Sequence, residues 1–140
     1  FNMPRRTSAG TDYNRVNLLM AVIEKRIGLH LGDCDAYINV AGGMRINEPA
    51  LDMGIVLAVL SSYKNIAIDS KTICFGEVGL VGEVRAVNQA EQRVIEAAKL
   101  GFDRCIMPKV NCDSLNIDRE QLKGMKLVGV KSIYELLEVI

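Results

Sequence analysis

The stretch "NVAGGMRINEPALDMGIVLAVL", residues 39–60, runs from strand-like residues through Gly42 and Gly43 into an apolar helix and leaves one carboxylate, Asp52, at its start. A lone acid at such a turn raises the question of acid–base or nucleophilic chemistry, so its possible collaborators come first. His30 is the only histidine. Multi-histidine metal sites are therefore out, and Ser-His-Asp or Cys-His catalysis survives only if that one residue serves. Asp33 and Asp35 lie near it, but three polar groups in a loop are a weak metal signal. Of the serines, only Ser8, near the terminus, stands at a possible Gly-rich helix start. Lys64, next to Ser61 and Ser62, reads more simply as a cation at a helix C-terminus than as the base of a Ser-Lys dyad.

The glycines of "GEVGLVGEVR" follow G-x-x-G-x-x-G rather than G-x-G-x-x-G, and no G-x-x-x-x-G-K-[ST] occurs. Neither dinucleotide nor P-loop phosphate binding is supported, and the glycines read as a tight turn. Cys34, Cys74, Cys105 and Cys112 form no C-x-x-C pair, so buried reduced thiols are expected rather than a zinc ribbon. No metal or cofactor is expected in this chain. The arginines remain. Arg5, Arg6 and Arg15 cluster where Asp12 is the only acid of the first seventeen residues, and Arg45 hangs on the Gly-Gly turn. A local basic cluster in a chain of net charge zero is the footprint of phosphate contact, with ordinary surface ion pairs as the alternative.

The elements that must position these residues follow from periodicity. The 140 residues are 49% hydrophobic and 24% charged, enough for one α/β domain over 1–140 with its own core. Val16, Leu19, Met20, Ile23 and Ile27 recur at helical spacing after Thr11 or Asp12 and before Gly28. "DAYINVAGG" reads as a strand, and "EPALDMGIVLAVLSSY" as a central helix opened by Pro49. "KTICFGEVGLVGEVRAV" reads as two short strands around a tight turn. A third helix follows, with Asn88 and Glu91 at capping-box spacing and Gly101 as its stop. "DRCIMP" and "MKLVGV" are strands, and "SIYELLEVI" is a last helix opened by the box Ser132 to Glu135. The lack of a secretory apolar segment, or of a run near the roughly 18 residues a membrane span needs, points to a cytoplasmic protein without membrane contact. A start at Phe1 suggests a piece of a longer chain.

Taken in order, "RRTSAG", "NVAGGMRINEPALDMGI", "FGEVGLVGEVR", "EAAKLGF" and "IMP" resemble the C-terminal domain of the RadA (Sms) family of bacterial DNA-repair proteins over essentially the whole chain. The resemblance implies a Lon-protease proteolytic-domain-like fold, of the ribosomal protein S5 domain 2-like type. It also implies a parent with a zinc finger and a RecA-like ATPase, so that zinc and ATP belong to segments outside this chain. Lon-type peptidases use a Ser nucleophile two residues before a Gly. Aligning that Gly with Gly54 puts Asp52 at the nucleophile's position, and counting from Gly76 puts Glu91 at the base's position. Neither acid can play those parts. The expectation is a non-catalytic scaffold of a DNA repair and recombination ATPase. In the parent it would support a hexameric ring and touch single-stranded or branched DNA through Arg5, Arg6, Arg15 and Arg45. The alternatives are a Lon-like serine peptidase with an unrecognised nucleophile and, on fold analogy alone, a small-ligand-binding α/β domain.

Overall fold

The computed structural model describes residues 6–9, 13–28, 36–39 and 48–140. A strand β1 (Arg6–Ala9) leads to helix α1 (Tyr13–Ile27) and strand β2 (Ala36–Asn39), which pairs parallel with β1. Val16, Leu19, Met20 and Ile23 recur every three or four residues on α1 and are buried, as an amphipathic helix requires. Gly28, at φ +85°, ends the helix as expected, its N–H donating to Glu24 O at 3.0 Å.

A short 3-10 turn, Pro49–Leu51, precedes helix α2 (Asp52–Lys64), which ends on left-handed Asn65. Met53, Val56, Leu57 and Leu60 are buried, so α2 is the central helix its composition implied. Beyond it, β3 (Thr72–Cys74), β6 (Arg104–Pro108) and β7 (Lys126–Val130) form a parallel sheet in the order β3, β6, β7. The register aligns Ile73 with Cys105 and Cys105 with Leu127. Helix α3 (Ala90–Lys99) lies between β3 and β6 in the chain. Ile106 joins a core with α1 and α2, while Cys105 and Met107 join a second core with Val94, Ala97 and Ala98 of α3. Apolar cover on both faces explains why β6 reads as a continuous run rather than an alternating one.

Several expectations need correction. "KTICFGEVGLVGEVRAV" is not one hairpin: β3 joins the parallel sheet, and the antiparallel pair is β4 (Glu77–Val78) with β5 (Val84–Arg85). The break comes at Gly76, whose N–H donates to Ala50 O at 2.9 Å and whose carbonyl accepts from Met53 N at 3.0 Å. A Cβ there would stand 3.2 Å from both Met53 Sδ and Pro108 Cγ, so the close approach requires glycine. Asn88 and Glu91 do not form a capping box. Helix α3 starts after left-handed Gln89, with no side-chain cap. The Ser132 box is also displaced, since Glu135 accepts from Lys131 N at 2.9 Å and a 3-10 turn (Ile133–Glu135) precedes the last helix (Leu136–Val139). Strand β1 and two short helices, α4 (Lys109–Asp113) and α5 (Arg119–Leu122), escape the sequence reading. Gly42, Gly43, Cys34, His30, Asp33, Asp35 and the proposed caps Thr11 and Asp12 lie outside the described residues.

Candidate functional site

Asp52 is the one buried charged side chain among the described residues, 2% exposed in the first turn of α2. Its location near a helix N-terminus suits a carboxylate, but burial demands more partners. Arg15 of α1 supplies them. Its Nε donates to Asp52 Oδ1 at 3.0 Å and its Nη2 to Oδ2 in a two-pronged pair. The third partner is backbone, with Val78 N–H donating to Asp52 Oδ2 at 3.0 Å and Val78 O accepting from Arg15 Nη2 at 3.0 Å.

Both polar groups of Val78 are thus satisfied by two side chains. They point away from β5, toward the edge where another strand would pair. Arg15 and Asp52 together stand in for that strand, tying α1, α2 and β4 at one point. Chemically, the carboxylate is fully engaged: its oxygens accept from a guanidinium and an amide N–H. That is the arrangement of a structural clamp, and among the described residues its partners are a guanidinium and the backbone of Val78.

Glu91, the second acid singled out, is exposed in the first turn of α3, and its Oε2 accepts from Asn116 N at 2.7 Å. It ties α3 to the segment before α5 and, among the described residues, shares no hydrogen-bond partner with Asp52. Asn88 instead accepts from Arg93, which also reaches Glu48 at 3.3 Å and lies over the Phe75 ring at 5.9 Å. The structure therefore unites Asp52 with Arg15 and keeps both apart from Glu91's contacts. Of the arginines, Arg15 serves the clamp, the backbone of Arg6 lies in β1, and Arg5 and Arg45 fall outside the described residues.

Burial pushes the Cys74 and Cys105 thiols up to about 12, a neighbouring cysteine adding to the effect in each case. Neither is a thiolate at neutral pH, which removes them as ready nucleophiles. Ser61 donates through Oγ to Ile66 O and so helps close the end of α2. Sequence reasoning missed Asn111, whose amide brackets Val87: Oδ1 accepts from Val87 N at 2.9 Å and Nδ2 donates to Val87 O at 3.1 Å. An Asn in a region with no predicted element gave no periodic signal.

Among known proteins, the chain is 49% identical over 137 residues to the DNA repair protein RadA of Bacillus subtilis strain 168, covering 98% of this chain and 29% of that relative. Identity to the RadA of Halalkalibacterium halodurans is 47% over 139 residues, 99% of this chain and 30% of the relative. The Streptococcus pneumoniae protein of the same name is 43% identical over 138 residues, covering 99% and 32%. The chain thus spans about three-tenths of the length of these relatives. Residues 12–111 match the family described as subunit ChlI of Mg-chelatase, and the chain belongs to that family.

Proposed function

We propose that this chain is a non-catalytic, Lon-like module of a cytoplasmic DNA-repair ATPase that supports hexameric ring assembly and contributes DNA contacts. The observation that carries the reading is Asp52. At the position the Lon resemblance gives to a nucleophile stands a buried carboxylate engaged by Arg15 and Val78 N–H. The shared name of the relatives, matched over 98–99% of this chain, guides the functional class more closely than the chelatase of the family's description. ATP and zinc belong, in this reading, to parts of the parent outside the chain.

DNA contact is assigned to Arg5, Arg6 and Arg45, with Arg15 serving chiefly the clamp. No aromatic run is interleaved with them, so the contacts are to phosphates of single-stranded or branched DNA rather than to stacked bases. The experiment is charge reversal, Arg5→Glu with Arg6→Glu, in the full-length parent. Affinity for single-stranded DNA should fall, and the log–log salt slope should shrink by about 0.7 per lost contact. Unchanged affinity and slope, in protein that still assembles and hydrolyses ATP, overturn the DNA assignment.

A further inference from the structure

The parallel sheet begins on a row of polar residues. Thr72, Arg104 and Lys126 open β3, β6 and β7 and stand in one register row. Neighbours in such a row direct their side chains to the same face, so the two cations share a face where the strands start. That is the end of β3 opposite Gly76 and the clamp. An open cavity of about 570 Å³ lies there, its charged lining made of Arg104 and Lys126 together with Asp69 and Asp103.

The charged residues of this cavity are held from below. Arg104, half-buried, donates through Nε to Thr72 Oγ1 at 3.2 Å and through Nη1 to Val139 O at 2.8 Å. The two bonds fix the plane of the guanidinium and leave Nη2 without a partner among the described residues. Asp69 is preset by its Oδ1, which accepts from Lys71 N at 2.9 Å. The backbone seats Asp103 between its neighbours: its N–H donates to Lys71 O at 2.9 Å and its carbonyl accepts from Lys126 N at 2.9 Å. Among the described residues, none of the four charged side chains forms an ion pair. Two cations and two acids thus face one cavity with their charges unspent on each other.

Each pair restricts what can bind. An Arg beside a Lys suits a phosphoryl group, the guanidinium offering directed N–H donors and the ammonium a point charge. An ionised carboxylate only accepts, so the ligand must present donors to Asp69 and Asp103. A ligand ammonium there would be repelled by Arg104 and Lys126, whereas hydroxyls donate without that cost. The acids in turn repel the phosphoryl group and so orient the ligand. We propose that this cavity binds a ribose phosphate, its phosphoryl group on Arg104 and Lys126 and its 2′- and 3′-hydroxyls on Asp69 and Asp103. Acidic side chains accept from ribose hydroxyls in nucleotide sites generally, and the volume admits a whole nucleoside monophosphate. The inference goes beyond the proposed function and uses none of the residues assigned there to the clamp or to DNA.

Isothermal titration of the purified chain tests it. Ribose 5-phosphate and adenosine 5′-monophosphate should each bind saturably at one site per chain, the tighter of the two showing whether the group is taken as a free sugar phosphate or on a nucleotide. Inorganic phosphate and 2-deoxyribose 5-phosphate, which lack hydroxyls for the acids, should bind at least about tenfold more weakly at equal ionic strength. Lys126→Gln and Asp103→Asn alter exposed positions, and urea midpoints matching the parent chain establish that they fold. Each should weaken ribose 5-phosphate binding at least about tenfold. No saturable binding of either ribose ligand overturns the proposal, as does unchanged affinity in either variant. Inorganic phosphate that binds as tightly as ribose 5-phosphate also overturns it, since the cations then hold an adventitious ion only.

Discussion

Replacing Arg15 with Ala is the sharpest probe of the clamp. The substitution strips Asp52, 2% exposed, of its guanidinium and leaves one N–H, that of Val78, to offset a buried negative charge. It also frees Val78 O from its side-chain donor. Removing one partner of a fully buried pair costs about 3–5 kcal/mol. Arg15 is 31% exposed, so water already screens part of the interaction and the expected cost falls to about 2–3 kcal/mol. At about 3 °C per kcal/mol for a chain of this size, the melting temperature should drop by about 6–9 °C. Asp52→Ala should cost a similar amount, because it leaves Val78 N–H buried without an acceptor. The double variant should be less destabilised than the sum of the two, by about 1–2 kcal/mol, since neither charge is then stranded. Urea unfolding of the four proteins measures the cycle. Costs below about 0.5 kcal/mol for Arg15→Ala, or strict additivity, would refute the clamp.

The hairpin and helix contacts make further claims. Asn111→Ala should destabilise by about 1–2 kcal/mol, because both backbone groups of Val87 lose their partner; chemical denaturation reads it. Asn88→Ala should change stability by less than about 0.5 kcal/mol, where a true capping box would have cost about 1 kcal/mol. Gly82→Ala should cost at least about 1 kcal/mol from its φ of +84° and the Ile133 contact, measured by the same melts. For Cys74 and Cys105, folded values of about 12 stand above the ordinary value of 9.0. Below 9.0 both folded and unfolded thiols are protonated and stability is intact. As pH rises from there toward about 12 only the unfolded chain releases these protons, so stability falls across that window. Urea midpoints at the two ends of the window check the sign.

What the sequence disclosed depended on range. The core face of α1 and the apolar character of α2 and β6 are local periodicities, so Val16, Leu19, Met53 and Ile106 were readable as core. The stop at Gly28 was readable for the same reason. Strand partnership was not. Nothing local separates β3 from β4, because the deciding contact is Gly76 against Met53 and Pro108. Asp52 is conspicuous as an acid opening an apolar helix, yet its partner lies 37 residues away and, on local charge, reads as part of a phosphate-contacting cluster. Glu91 illustrates the reverse error. Its spacing from Asn88 satisfied a local rule, and a backbone N–H 25 residues on claimed the carboxylate instead.

The central claim, that the turn before α2 is a clamp and not a reaction centre, is tested most directly by a peptidase assay of the purified chain. Unfolded casein and small peptide reporters serve as substrates, with Asp52→Asn as the control. Asn keeps the size of the side chain and an oxygen to accept from Val78 N–H. The account predicts no turnover by either protein and a loss of stability in the variant alone. Turnover that scales with the parent chain and disappears in a folded Asp52→Asn variant would contradict it.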